Sequence, residues 1–283
     1  MSNEKTLVGL AGEDFWAQYE AIMGPEGLMT YRYIGSRGAV AHDPHHAEST
    51  AVVRSDMRGP AGILAAALEI MGGDCLSILD DAIAIPAPVN CSLGVVDRGD
   101  EVAEARVQGR IDHAGRSQMF TAFVVSDAAD PSRVLAVGSN LSVVIGPAPE
   151  GARYVPPGPG MADDGSLPRL WEAFGARRRD DGRYEIPGLT PHLGSTSASL
   201  HHGPTQVILE AAATDAALAA AGGDTLSIAH WNVSFTARGT VGPFVTSVDV
   251  VGAAGPNIGC EARLVDEGTG RQIATAAAVF RRD

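Results

Sequence analysis

The sequence predicts an α+β fold in which two similar halves each combine one helix with a run of antiparallel strands. An Ala-rich helical segment spans 61–71, and another runs from the His201-His202 pair to about Ala221. Alternating apolar and polar residues, interrupted by Gly, Asp and Pro turns, follow each helical segment. We therefore expect each helix to be followed by consecutive antiparallel strands.

The bulk composition indicates a globular chain and argues against several partner classes. Its 283 residues suffice for one large domain or two ordinary ones, and 45% hydrophobic content predicts a well-packed core. A net charge of −13 disfavours nucleic acid and anionic membranes as partners. No window of about 18 apolar residues is present, so no membrane span is expected.

Cysteine usage and the N-terminus predict a cytoplasmic location. The three cysteines are far apart and form no CxxC or Cys/His pattern, as in a reduced protein. Residues 1–6 lack a basic region followed by a long apolar one, so no signal peptide is expected. The histidines of segment 42–46 lack helical metal-ligand spacing, and no metal site is predicted.

In the first half, apolar spacing predicts a short helix over 13–23 and a β-like segment over 29–40. Gly72-Gly73 is expected to end the helix that begins at Ala61. Further strands are predicted at 50–54, 89–93, 101–109, 117–125 and 134–145.

In the second half, the Pro/Gly-rich residues 147–168 are typical of a linker, and 167–174 predicts a short helix. Gly222-Gly223 is expected to end the second Ala-rich helix. Strands are predicted at 230–236, 244–251, 257–265 and 272–280.

Local matches between the halves support an internal duplication. Three pairs of segments match: Gly59-Pro60 with Gly203-Pro204, 72–78 with 222–228, and 90–93 with 232–235. The three offsets are unequal, so the alignment requires insertions. The shared order of helix and strands nevertheless favours a repeat.

A helix wrapped by a curved antiparallel sheet, twice in one chain, resembles the tandem, or double, hotdog fold. Within that fold the sequence is most similar to phenylacetate-pathway-type acyl-CoA thioesterases, which carry a His-Gly-Gly-like turn and an acid nine residues after the His. Here His201 precedes Glu210 by nine residues, with His202 and Gly203 at the two glycine positions. The first half has Met57 and Ala66 at the His and acid positions, so it lacks both.

The resemblance implies an N-terminal hotdog half over 1–146 with a degenerate site, a linker over 147–170, and a C-terminal half over 171–283. It also implies an acyl-CoA substrate, whose coenzyme A moiety belongs to the substrate, and no separate cofactor. Pairing of two chains into a homodimer is expected. The sequence does not indicate which acyl group is bound.

Thioester hydrolysis requires a carbonyl polariser and an activated water or nucleophile. A carboxylate on an otherwise apolar helix is costly unless it is paired or used, which makes Glu210 the candidate base or nucleophile. Gly203 could offer a backbone N–H at the helix N-terminus to the thioester oxygen, and His201 could orient substrate or water. The alternatives are a solvent-facing or structurally paired Glu210, a His201 that only caps or packs at the helix start, and simple helix initiation by Gly203-Pro204.

Substrate-binding candidates are His202, Arg58, Gly59 and Asn90. Because paired hotdogs share a site between halves, the first half should contribute. Arg58 could bind a coenzyme A phosphate, although pairing with Asp56 is an alternative. His202 could also serve only in packing at the helix start.

Two other functions compete with thioester hydrolysis. A non-catalytic acyl-CoA-binding protein would explain the missing His and acid of the first half. A hotdog enoyl-CoA hydratase or dehydratase would require a Gly-Asp-x-Asn-Pro-x-His pattern. Gly223-Asp224 is present, but the Asn and Pro are absent and His230 lies one residue too far.

Overall fold

One twelve-stranded antiparallel sheet runs through the part of the chain that the structure describes. This computed structural model describes residues 12–23, 27–35, 39–80, 84–147, 161–195 and 198–283. Residues 1–6 and most of the Pro/Gly-rich linker lie outside these ranges. The absence of a signal peptide and the linker conformation therefore stay predictions.

The N-terminal elements agree with the sequence except at 29–40 and at the end of α3. Their bounds are α1 Gly12–Met23, α2 Met29–Ile34, β1 Val40–Asp43, β2 His46–Val52, a 3-10 turn Ser55–Met57, α3 Ile63–Asp80, β3 Ala84–Val95, β4 Glu104–Ala114, β5 Gln118–Asp127 and β6 Val134–Pro147. The β-like interpretation of 29–40 is wrong for its first six residues, which form α2. Leu28, Tyr31 and Ile34 are all buried, and this three-residue spacing places them on one face of a helix.

The C-terminal elements agree with the expected helix and strands. Their bounds are α4 Leu170–Ala173, β7 Arg177–Arg178, β8 Tyr184–Ile186, α5 His202–Ala221, β9 Leu226–Phe235, β10 Phe244–Gly252, β11 Asn257–Asp266 and β12 Arg271–Arg282. The strand order is β1-β2-β4-β5-β6-β3-β9-β12-β11-β10-β8-β7. Helix α3 packs on β2 to β6, helix α5 packs on β8 to β12, and the two helices pack against each other.

The two parts of the sheet join through β3 and β9. Cys91 pairs with Val233 in the antiparallel register, which places Asn90 opposite Ser234 and Ser92 opposite Asn232. The matching Asn-x-Ser segments therefore face each other symmetrically about the Cys91–Val233 pair.

Gly72-Gly73 does not end α3, contrary to the expectation, because the helix continues to Asp80. A side chain at position 72 would collide with the ring of Phe123, and position 73 faces His202 of α5. These glycines allow close packing of α3 on its neighbours. Gly222, in contrast, adopts the left-handed conformation (φ 70°) and ends α5 as expected.

The similar segments 72–78 and 222–228 consequently have different structures. The first lies within α3, whereas the second forms the turn after α5 and the start of β9. No helix in the described ranges is long and apolar enough to cross a membrane.

Candidate active site

A buried polar seam lies between α3 and α5. On α5, polar side chains recur every four residues, on the face turned toward α3: His202, Gln206, Glu210 and Thr214. Their neighbours on α3 come in the reverse order, so the helices are antiparallel: Gly73 is near His202, Glu69 bonds Gln206, and Gly62 contacts Glu210 and Thr214.

Glu210 is the most isolated charge-bearing group of this seam. Its side chain is 0% exposed, and neither carboxyl oxygen has a hydrogen-bond partner of good geometry among the described residues. Burial raises the pKa of Glu210 well above the ordinary carboxyl range, and the nearby backbone N–H of Ala66 opposes that rise only in part. Burial therefore favours the protonated, neutral form of this carboxyl group.

The surroundings of Glu210 place it at the N-terminus of α3. A side chain at Gly62 would overlap the Glu210 carboxyl and would come within 2.8 Å of the Thr214 hydroxyl. Thr214 is 2% exposed, and its hydroxyl also lacks a hydrogen-bond partner in the described part of the chain. The two carboxyl oxygens and this hydroxyl thus converge on the backbone just before α3.

A second buried carboxyl, Glu69 of α3, has partners. Gln206 donates from Nε2 to Glu69 Oε2 and accepts from Trp231 Nε1 at 3.1 Å. Burial raises the pKa of Glu69 to about 6, and hydrogen bonds from the Cys91 thiol and the Gln206 amide limit the rise. This network ties α3, α5, β3 and β9 together.

The N-terminus of α5 is closed by α2. His201 is the N-cap residue, and its Nδ1 accepts from the Gly203 N–H at 3.3 Å. The same nitrogen lies 3.0 Å from the Thr30 hydroxyl, and the His201 ring packs against Tyr31. Burial, and to a smaller extent His202, lowers the pKa of His201 well below its usual value, so this cap is neutral.

Gly203 is buried against α2 and allows its close approach. A side chain at this position would collide with Thr30, so only glycine fits. Its N–H is directed at His201. The geometry supports the helix-initiation role weighed for Gly203-Pro204.

His201, Gly203 and Glu210 do not converge on one point. Gly203 and Glu210 are seven residues apart on the same helix, a rise of about 10 Å. His202 lies at the Gly203 end, where its ring stacks beside His201 and near Phe235, and burial lowers its pKa to about 4. The structure thus separates the three predicted catalytic residues into two groups.

A cleft opens at the N-terminus of α3. It contains about 370 Å³ of space, including its open mouth, and Gly62 and Ala65 form part of its wall. Arg58 and Gly59, two of the predicted substrate-binding residues, line it as well. Glu210 itself lies behind Gly62 and outside the lining.

Arg58 is not paired with Asp56, the alternative considered from sequence. Arg54 makes that pair, with Nε 2.7 Å from the Asp56 carboxylate and both side chains 1% exposed. Arg58 instead donates to the backbone carbonyls of Gly99 and Val102, which fixes it beside the cleft.

Asn90 lies at the β3–β9 junction, away from the α3 N-terminus. Its side-chain amide donates to Asn232 Oδ1, to the Val233 carbonyl and to Ser234 Oγ at 3.0 to 3.2 Å. These bonds join the two parts of the sheet.

The hydratase residues do not gather at a helix start. Asp224 forms an exposed ion pair with Arg282 at 2.8 Å, and His230 lies within β9 opposite Gly94. Among the described residues, no cluster of three or more His, Cys, Asp or Glu could hold a metal ion.

Three site residues were missed from the sequence: Gln206, Thr214 and Gly62. The four-residue polar spacing on an Ala-rich helix was a readable signal for Gln206 and Thr214. Gly62 had no such signal, since its importance depends on which helix packs against it.

No protein-family model and no curated protein matches the sequence. Solved structures do resemble this fold. The TesB protein of Mycobacterium avium subs. paratuberculosis superimposes with a TM-score of 0.60 at 13% identity, over 87% of this chain and 95% of that one. The acyl-CoA thioesterase II TesB2 of Mycobacterium marinum superimposes with a TM-score of 0.58 at 11% identity, over 87% of this chain and 95% of that one.

A third similar structure is described as having a hot dog fold. The hot dog fold protein of unknown function from Alicyclobacillus acidocaldarius gives a TM-score of 0.56 at 8% identity, over 90% of this chain and 98% of that one. At these identities the likeness establishes a hotdog fold. The predicted resemblance to hotdog-fold proteins is confirmed at the level of structure. The finer resemblance to phenylacetate-pathway-type acyl-CoA thioesterases stays a prediction.

Proposed function

We propose that this protein hydrolyses acyl-CoA thioesters at the N-terminus of α3, with Glu210 as the general base. One observation carries the proposal: a fully buried carboxyl, with no hydrogen-bond partner of good geometry among the described residues, lies against Gly62, the residue that separates it from the cleft. A buried carboxyl without partners is costly, so a chemical role is the simplest reason for its presence.

We further propose that the chain is a double hotdog protein, with halves over 1–146 and 171–283 and a linker over 147–170. The symmetric β3–β9 register and the antiparallel α3–α5 packing support this division. On this view the cleft belongs to both halves, because α3 comes from the first and Ile228 of β9 from the second. A cytoplasmic homodimer is part of the same proposal.

In the proposed reaction, the ionised Glu210 takes a proton from water while the water oxygen bonds to the thioester carbon. The electron pair moves onto the carbonyl oxygen. When the tetrahedral intermediate collapses, the carbon–sulfur bond breaks and the coenzyme A thiolate receives the proton from Glu210. The products are the acid and the free thiol, and the carboxylate is regenerated.

The oxyanion donors would be backbone N–H groups in the first turn of α3. Helix N-termini carry unpaired N–H groups and a partial positive charge, which suit a developing oxyanion. Gly203 was the expected donor, but it lies about 10 Å from Glu210 along α5. The start of α3 is adjacent to Glu210 and replaces it in this proposal.

Substrate access requires the backbone at Gly62 to shift, since Glu210 does not line the cleft. Arg58 and Gly59 would contact the coenzyme A portion, and the Arg58 guanidinium suits a phosphate group. His202 and Asn90 would not contact this substrate, because they lie at other positions of the fold.

The pH dependence follows from the burial of Glu210. The base must be ionised, and burial raises its pKa. The ratio kcat/KM should therefore increase with pH and level off above the ordinary carboxyl range.

A thiol-release assay on a panel of acyl-CoA thioesters tests the proposal. We expect turnover by the wild-type protein and a loss of 100-fold or more in Glu210→Gln, on the order of general-base contributions. Glu261→Gln, which alters an exposed carboxylate of β11, is the matched control and should retain full activity. Circular dichroism checks that both variants fold.

Other outcomes assign the alternatives. Binding of acyl-CoA without turnover would favour the acyl-CoA-binding function. The complete burial of Glu210 is the observation that favours this alternative, because a buried carboxyl does not reach a substrate in the cleft. Hydration of crotonyl-CoA that survives Glu210→Gln would favour a hydratase. Either result would overturn the hydrolase proposal.

A further inference from the structure

The lining of the cleft at α3 includes both polar and apolar side chains. Asp100 is exposed and Arg58 and Arg98 are half-buried, whereas Leu68 and Ile228 are buried and Leu64 is half-buried. A thioester of coenzyme A has the same polarity, with phosphates at one end and an acyl chain at the other.

Leu68 is the most deeply buried of the apolar lining residues. It is 0% exposed and lies six residues after Gly62, a rise of about 9 Å along α3. Helical side chains lean toward the helix N-terminus, so the leucine methyl groups come closer to Gly62 than this rise suggests. An acyl chain that starts at Gly62 would meet Leu68 after a few carbons.

The wall of the cleft formed by Ile228 of β9 is held in place by a hydrogen bond. Ile228 is 3% exposed, and its N–H donates to the Ala61 carbonyl at 3.0 Å, which fastens β9 to the start of α3. Widening of the cleft by movement of this wall would break that bond.

We propose that the cleft selects short acyl groups, of about two to six carbons, and that Leu68 sets the upper limit. The assignment rests on the proposed function for the site, and it adds the substrate class and the residue that determines it. The acyl chain runs along α3 from Gly62 and ends against the Leu68 side chain.

Binding of S-alkyl thioether analogues of coenzyme A, measured by calorimetry, tests the assignment without any hydrolysis. Each buried methylene should improve affinity about fourfold up to the limit. We expect affinity to increase from S-ethyl to about S-butyl or S-hexyl and to fall at least tenfold by S-decyl. In Leu68→Ala, S-decyl should bind at least tenfold more tightly than in the wild type.

Leu76→Ala is the matched control, because Leu76 is a buried leucine of the same helix that does not line the cleft. It should leave the length preference unchanged. If Leu68→Ala does not fold, Val95→Phe narrows the cleft from β3 and should weaken S-hexyl at least tenfold while S-ethyl is unaffected.

The outcomes separate this inference from the hydrolase proposal. Length-dependent binding that shifts in Leu68→Ala, with no thioester turnover, supports the acyl assignment and rejects hydrolysis. Turnover with equal binding of short and long analogues, unchanged by Leu68→Ala, rejects the acyl assignment and leaves hydrolysis standing.

Discussion

Two carboxyls lie in the seam between the central helices, and they differ in what surrounds them. Glu69 of α3 bonds Gln206, which in turn bonds Trp231, whereas Glu210 of α5 has no hydrogen-bond partner of good geometry in the described part of the chain. Both are buried to within 1% of complete. Burial raises both pKa values, but that of Glu69 only to about 6.

The difference separates a structural role from a chemical one. Glu69 ends a chain of hydrogen bonds that crosses from α3 to α5 and β9, so its carboxyl helps specify how the helices pack. Glu210 contributes no such bond, and its burial lowers stability. We infer that Glu69 is present for the fold and that Glu210 is present for the reaction.

The largest expected effect on stability comes from breaking the Glu69 network. Gln206→Leu would leave the Glu69 carboxyl and the Trp231 N–H buried without partners, which should lower the free energy of unfolding by about 3 kcal/mol. Urea denaturation of Gln206→Leu and of the wild type measures this change in the free energy of unfolding. The double variant Glu69→Leu/Gln206→Leu should recover much of this loss, because it removes both members of the bond. No recovery would show that Glu69 has another role.

Two glycines that face α5, Gly62 just before α3 and Gly73 within it, lie at opposite ends of the seam, and alanine variants of both test how tightly each end is packed. Gly62→Ala should lower stability by about 2 kcal/mol and reduce turnover, since the new methyl would overlap the Glu210 carboxyl and the Thr214 hydroxyl. Gly73→Ala should instead raise stability by about 0.5–1 kcal/mol. Its methyl would come only within 3.9 Å of His202, and alanine favours the helix interior.

Thermal and urea denaturation measure the stabilities of the two alanine variants, and the thiol-release assay measures their turnover. Equal stabilities for the two variants would contradict the tight contact at Gly62. A Gly62→Ala protein with full turnover would contradict the reaction site proposed there.

Part of this architecture could be predicted from the sequence because it depends on local pattern. The Ala-rich run around Glu210 has few charges, which indicated burial of the helix, and Gly222 at the end of α5 indicated a left-handed cap. Strand alternation predicted nine of the twelve strands within five residues of their bounds and missed the short strands β1, β7 and β8.

The rest depended on contacts that are distant in sequence. Gly72-Gly73 has the same letters as Gly222-Gly223, but it lies inside α3 because Phe123 and His202 approach there. Asp56 has arginines two residues away on both sides, and sequence spacing could not show that Arg54 makes the pair. The contact of Glu210 with Gly62 likewise depends on how α3 packs against α5, which the sequence does not show.

The pH dependence of stability distinguishes the two carboxyls. Each has a folded-state pKa raised above the 4.5 of an ordinary glutamate, so each lowers stability as pH rises from 4.5 to its folded pKa. The slope is about 1.4 kcal/mol per pH unit within that window.

Urea denaturation from pH 5 to pH 8 tests this expectation with two isosteric variants. The stability gained by Glu210→Gln over the wild type should keep growing with pH beyond pH 6. The difference for Glu69→Gln should level off above about pH 6, where both states are ionised. If stability depended on pH in the same way in both variants, the proposed difference between the Glu69 and Glu210 carboxyls would be wrong.

The smallest expected effect lies at the far end of the seam, at the N-cap of α5. His201→Ala removes the acceptor of the Gly203 N–H and the partner of Thr30, so stability should fall by about 1 kcal/mol. His201→Asn, which can cap the helix, should recover most of this loss. As a control, the His113→Ala substitution of an exposed histidine should cost less than about 0.5 kcal/mol.

Turnover should change less than about threefold in all three variants, because His201 lies about 13 Å along α5 from Glu210. A tenfold loss of turnover in both His201 variants with stability unchanged would place this histidine in the reaction, and Glu210 would no longer be its sole acid–base group.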